Sequence, residues 1–355
     1  MTPPTDAAAP NEPPDVERGE LVSAALSAPA VAPPSARNDR VVAIAAGVLA
    51  LALPFILDTF GASYYLSLAS RIVIYAIAAT SLNLVLGYAG LVSFGHAAFV
   101  GLGAYATGIL VSEGIVGSGW HLLATLAIAA LAALAIGAIS LRTRGVYFIM
   151  ITLAFAQMLF YLANSVKGYG GDEGLTIRAR SVLGFGPFAV DLKNPLALWY
   201  TAVAVLGASL LALARFGPSR LGRAVLALRD DDVRAEALGF PTYRLKLVVF
   251  VVAGMLGGIA GALSVNLQGY VSPNVLHWTQ SGTLMVMVIL GGVATVWGGL
   301  VGAAALLLLQ EVLSAYTEHW EFWTGWVLLA VVLFARQGLV GLLKSARRRR
   351  AGVGR

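Results

Sequence analysis

The sequence predicts an all-α, polytopic membrane bundle of about eight to ten transmembrane helices, and three observations predict it. Of 355 residues, 58% are hydrophobic and only 12% are charged, roughly half the ~25% that covers the surface of a soluble chain. Apolar runs recur along the chain, each close to the ~20 residues that cross ~30 Å of hydrocarbon at 1.5 Å per residue. The charges sit between these runs and at the C-terminal end. Such runs are helical because lipid offers no partner to a backbone N–H or C=O, so each group must be bonded within its own segment. The chain has no cysteine, which excludes a disulfide framework, a thiolate metal site and a cysteine nucleophile.

Residues 1–40 hold eight of the 14 prolines among Ala, Ser and acidic residues, and are expected to form a disordered cytoplasmic tail. Asp6, Glu12, Asp15, Glu17 and Glu20 precede the first long apolar run at Val41. A cleavable signal peptide has a basic start instead, so the first span is expected to stay attached. The membrane domain is read over 41–343, with spans near 41–57, 66–87, 91–112, 121–141, 145–165, 196–215, 247–266, 283–297, 299–314 and 323–342. Two stretches are weaker: 91–112 is glycine-rich, and 283–314 is one apolar run broken at Gly298-Gly299. Residues 344–355 form a basic tail.

Orientation follows from basic residues in short loops, which stay cytoplasmic. Arg37 and Arg40, Arg142 and Arg144, the seven basic residues from Arg215 to Lys246, and Arg347 to Arg350 fall on one side of a ten-span chain. Short loops on the other side carry Asp58, Glu113, Glu318 and Glu321. Both termini are therefore expected in the cytoplasm. The net charge of +6 reports this orientation, and nucleic acid is not an expected partner. The longer outer loop, 166–195, is mixed in sign; Gly170-Gly171 and Pro187 suggest a turn-rich cap.

No P-loop is present, since none of the four lysines follows a glycine. Carboxylates are almost absent from the spans, which argues against an ion-coupled carrier. Glu311 is the candidate well inside one, and headgroup contact is its bland reading. Arg71 near a span end snorkels. His319 beside Glu318 and Glu321 belongs to an interfacial aromatic belt with Tyr316, Trp320, Trp323 and Trp326 rather than to a metal site. With few carboxylates and four histidines, the chain is not expected to be an enzyme.

The richest polar interruption runs from Ser81 to His96, with glycines at 87, 90 and 95. A broken helix at membrane depth is tolerated beside a cavity, so Asn83, Ser93, Gly95 and His96 are candidate lining residues of a solute path. The same glycines also serve close helix packing, with Asn83 and Ser93 as interhelical hydrogen bonders, and His96 as a satisfied buried side chain. Gln157, with Thr152, divides between the same two roles. A second glycine-broken stretch, Gly291 to Gly299, occupies a comparable place in the other half. Between 216 and 246, Leu221, Val225 and Leu228 repeat at helical spacing, Asp230-Asp231-Asp232 supplies an N-cap, and Gly239 with Pro241 ends a second short helix. This reads as a folded cytoplasmic helical hairpin, which packs under the bundle or enters a partner's groove.

Five ordered blocks carry a resemblance: Asn83 to Tyr105 (NLVLGYAGLVSFGHAAFVGLGAY), Arg144 to Gln157 (RGVYFIMITLAFAQ), Gly170 to Leu175 (GGDEGL), Gly222 to Leu263 and Val288 to Ala303 (VILGGVATVWGGLVGA). They resemble the branched-chain amino acid ABC transporter permease family, LivM type, over roughly 40–345. The resemblance implies a multi-pass protein of the bacterial inner membrane that translocates branched-chain or related amino acids. Its implied partners are cytoplasmic ABC ATPase subunits that bind the ATP, a second homologous permease and an extracytoplasmic substrate-binding protein. No cofactor is expected in this chain itself. The hairpin would meet the ATPase, through Gly222, Arg223, Leu228, Asp231, Glu236 and Gly239. Related permeases carry urea or short amides, and an ion-coupled transporter or channel is the reading from another class. The long proline-rich N-terminal tail departs from the usual form.

Overall fold

The computed structural model describes residues 47, 51–54, 63–115, 118–177, 181–183, 190–334 and 338–342. The expected tail at 1–40, most of the first span, Arg178, Arg180, Pro187 and the basic tail at 344–355 lie outside the described residues.

Helix α1 (Ser63–Asn83) runs into a π-helical turn, Leu84–Tyr88, and an irregular stretch leads to α2 (His96–Ser112). Then come α3 (Ser118–Ser140), α4 (Val146–Ser165), two 3-10 turns, and strands β1 (Leu175–Thr176), β2 (Val182–Leu183) and β3 (Val190–Asp191). Helix α5 (Pro195–Phe216) precedes the short pair α6 (Arg220–Asp230) and α7 (Asp232–Ala237). The long α8 (Thr242–Gln268), β4 (Tyr270–Val271), α9 (Trp278–Gly291), α10 (Gly298–Tyr316) and α11 (Trp320–Phe334) follow. Strand β1 pairs antiparallel with β4, Leu175 opposite Val271, and β2 with β3.

Among the described residues, six helices are long and apolar enough to cross a membrane, while α2 and α9 are shorter. The reason is local. The expected span at 91–112 begins as helix only at His96, because Gly90 has a left-handed φ of +68° that turns the chain. The expected span at 283–297 ends at Gly291, where Gly292 takes φ +120°. These segments are helices with irregular ends, not the continuous helices the apolar runs suggest.

Helix α8 is the centre of the bundle and packs on α1, α2 and α3. Small residues let it come close: a Cβ on Gly261 would stand 1.8 Å from the Val100 carbonyl oxygen, and one on Gly103 2.1 Å from that of Gly258. Without a hydrophobic driving force between helices in lipid, such backbone approach supplies the packing energy.

The α3–α4 turn lies at the same end as the α6–α7 hairpin, because Arg144 meets Glu236 at 3.4 Å. The β1–β4 pair, and Tyr169 donating to Glu113 at 3.4 Å, mark the opposite end. Arg142, Arg144 and the basic residues from Arg215 to Lys246 thus share one end of the bundle.

The hairpin follows elementary capping rules. The Ser219 side chain accepts from Gly222 N at 2.9 Å to start α6, and Asp231 accepts from Arg234 N at 3.0 Å to start α7. Gly239, at φ +86°, ends α7. The buried face of α6 is Gly222, Val225 and Leu228, whereas Leu221 is 37% exposed. The expected apolar face is therefore rotated. Gly222, not Leu221, turns inward, and a Cβ there would lie 1.9 Å from the Phe216 carbonyl oxygen. Val225 joins the core cluster of Leu84, Val85 and Tyr88, so the hairpin packs under the bundle.

Candidate functional site

The two interruptions meet. Asn83 is fully buried, and its Nδ2 donates to the Thr295 carbonyl at 2.8 Å while its Oδ1 accepts from Ala294 N at 2.9 Å. One side-chain amide thus substitutes for the helical bonds that the break between α9 and α10 lacks. The bond to Ala294 passes beside Gly87, where a Cβ would stand 2.2 Å from Asn83 Oδ1 and 2.6 Å from Ala294 N. Ala294 itself sits at φ +59°, a left-handed conformation that a side chain disfavours by about 1–2 kcal/mol.

Beyond the first break, the chain re-enters the bundle to start α2. The buried Ala97 N–H, in the first turn of α2 and so without an intrahelical partner, donates to Ser281 Oγ of α9 at 2.9 Å. His96 is fully buried, its Nε2 2.7 Å from Ser81 Oγ. The Ser81 hydroxyl donates to the Ala78 carbonyl at 2.8 Å, so Nε2–H donates to Ser81. Ser93 Oγ accepts from Gly95 N at 3.3 Å within its own turn. Gly95 lies against α4, where a Cβ would come within 2.6 Å of the Thr152 carbonyl oxygen.

Asn83, Ser93, Gly95 and His96 therefore cluster around one break, and the first and last of them have partners across helices. Gln157 stands apart from them on α4, its Nε2 3.4 Å from His277 Nε2. Its buried Oε1 has no hydrogen-bond partner among the described residues. His277 caps α9 by accepting from Thr279 N at 3.5 Å, and its ring meets Phe160 and Trp278. Sequence reasoning missed His277 and Ser281, and it marked the Ala294–Thr295 backbone only as part of the break from Gly291 to Gly299. A histidine right after the Pro273–Leu276 turn and before an apolar run is a usable signal for the first; no local signal marks Ser281.

Of the hairpin candidates, Arg223, Glu236 and Gly239 are exposed, Asp231 is half-buried in its capping role, and Gly222 and Leu228 face the bundle. Arg229, one residue beyond Leu228, is exposed as well, but its Nη1 donates to the Gly87 carbonyl at 2.6 Å. Below the first break lies a cavity of about 240 Å³ lined by Gly90, Val92, Thr143, Arg144, Arg229 and Lys246, among others. Lys246 is ion-paired with Asp232 there. Elsewhere, Glu311 accepts from Tyr64, and Arg71 lies over the Tyr75 ring. Tyr316, Trp323 and Trp326 are exposed, and no cluster fit to hold a metal ion occurs among the described residues.

Long apolar helices, two of their junctions broken and clasped together inside the bundle, define a multi-pass helical membrane transport protein. The family described as branched-chain amino acid transport system / permease component matches residues 64–336, and the chain belongs to it. It is 27% identical to the high-affinity branched-chain amino acid transport system permease protein LivM of Salmonella typhimurium, covering 86% of this chain and 76% of that one. It is 23% identical to the corresponding permease protein LivH of Escherichia coli over 75% of this chain and 91% of that one. Similarity to the autoinducer 2 import system permease protein LsrC of Enterobacter sp. is 29% identity over 66% and 68%. No solved structure matches the chain.

Proposed function

We propose that the chain is one of two permease subunits of an ABC importer for branched-chain amino acids in a bacterial inner membrane. The observation that carries this reading is the family match over 64–336, with both LivM and LivH among the relatives. Two different permease proteins of one named system resemble this chain, which favours a heterologous permease pair. ATP is bound by separate cytoplasmic ATPase subunits, since this sequence carries no P-loop, and a binding protein delivers solute on the outer side. The hairpin end, with Arg142, Arg144, Arg223 and Lys246, faces the cytoplasm by the bias of basic residues, as do both termini. The route runs beside the two breaks and along the α4 face that carries Gln157. Arg223, Glu236 and Gly239 are the hairpin residues open to the ATPase, while Gly222, Leu228 and Asp231 hold it in shape.

Reconstitution with the two ATPases, the second permease and the binding protein should give ATP-dependent uptake of radiolabelled L-leucine. Uptake by this chain alone, driven by an ion gradient, would sink the reading. Orientation has its own test in this cysteine-free chain. An impermeant thiol reagent should label Asp172→Cys in intact cells and leave Arg223→Cys unlabelled.

A further inference from the structure

We infer that Arg229 is a positioning residue, the strut through which the α6–α7 hairpin holds both breaks in register. This rests on the importer reading and adds a route to it. Three features define the strut. In α-helical geometry the Leu91 N–H would return to Gly87, but the helix ends at the left-handed Gly90 and the Leu91 N–H instead reaches six residues back to the Val85 carbonyl at 3.1 Å. The Gly87 carbonyl is thereby released, and the Arg229 guanidinium takes it at 2.6 Å. Gly90 makes room for the arginine stem: a Cβ there would stand 2.9 Å from Arg229 Cγ, and φ +68° disfavours any side chain.

Gly87 is the junction. Its carbonyl is held by the hairpin, and its Cα lies against the Asn83–Ala294 bond. Arg229, Gly87, Asn83 and Ala294 form one contiguous chain of contacts from the hairpin to the α9–α10 turn. A displacement of α6 pulls on a π-helical turn, a form found at functional bends, and reaches the second break through one amide. The cavity beneath the first break gives the arginine head space to swing. Packing of Val225 and Leu228, with the Arg144–Glu236 and Lys246–Asp232 pairs, anchors the hairpin; the strut sets where the broken end of α1 goes when the hairpin moves.

The test uses the complete transporter in proteoliposomes, with L-leucine uptake and ATP hydrolysis measured on the same vesicles and assembled complex quantified. Removing a hydrogen bond from a charged donor is worth about 1.5–3 kcal/mol, so Arg229→Ala should lower leucine moved per ATP about tenfold or more. Arg229→Lys, which still reaches the carbonyl with one donor, should recover most of the ratio. A lost packing contact would lower assembled complex and leave the ratio where it was. Should Arg229→Ala reduce assembly, Arg229→Gln decides. It keeps the stem against Gly90 but stops short of the Gly87 carbonyl, so its ratio must fall as well. An unchanged leucine-to-ATP ratio in the alanine or glutamine variant overturns the strut. Failure of the unsubstituted transporter to couple ATP to uptake would instead count against the importer reading.

Discussion

Helices α8 and α4 are both long, apolar and near the length that crosses a membrane, yet they do opposite jobs. Of the apolar window of α8, 56% is buried, against 17% of that of α4. The difference lies in glycine, not in apolarity. Helix α8 carries Gly254, Gly257, Gly258 and Gly261, all buried, and meets α2 backbone to backbone. Helix α4 has no glycine between Val146 and Ser165 and shows Tyr147, Met150, Met158 and Tyr161 outward. In lipid a leucine has nothing to gain by leaving the hydrocarbon, so the small residue at the contact selects the central helix.

The sharpest way to break this comparison is to fill the α2–α8 contact. Gly261→Leu should force the helices apart, lowering stability by about 3 kcal/mol and removing most folded protein from the membrane, read as abundance and as the unfolding midpoint in detergent. Next comes the clasp. Asn83→Leu strands the Ala294 N–H and leaves the Thr295 carbonyl only its bond from Gly298 N, and should cost about 2 kcal/mol in the same unfolding assay. Ala294→Gly relaxes the left-handed backbone and should raise stability by about 0.5–1 kcal/mol; a lower midpoint would show that the alanine side chain packs favourably at the turn. The smallest effect belongs to α4, where Met150→Ala should stay within about 0.5 kcal/mol of the parent. If it destabilised as much as Gly261→Leu, burial in the bundle would not be what separates the two helices.

Much of this was legible in the residues. Apolar length located the helices to within a few positions, and Asp231 and Gly239 marked the short α7 because capping is local chemistry. Both breaks were visible as Gly87-Gly90-Gly95 and Gly291 to Gly299. What periodicity missed was set by partners distant in the chain. Leu221 and Gly222 differ by one position on α6, and the choice between them depends on the Phe216 carbonyl against which only the glycine fits. Asn83 offered itself equally as lining or as glue, since an amide's two faces are alike until the backbone 211 residues later arrives. Arg229 looked like one cation among seven, and its partner is one of the carbonyls left open where the helix ends before Gly90.

That separation of 211 residues is also an interval in time. At roughly 5–20 residues per second of synthesis, Asn83 enters the membrane about 10–40 s before Ala294 has been made. Through that interval the backbone partners that the amide holds in the folded protein do not yet exist. The clasp therefore closes only after the chain has been made past Thr295. A polypeptide truncated before Ala294 would expose an amide that the finished protein hides.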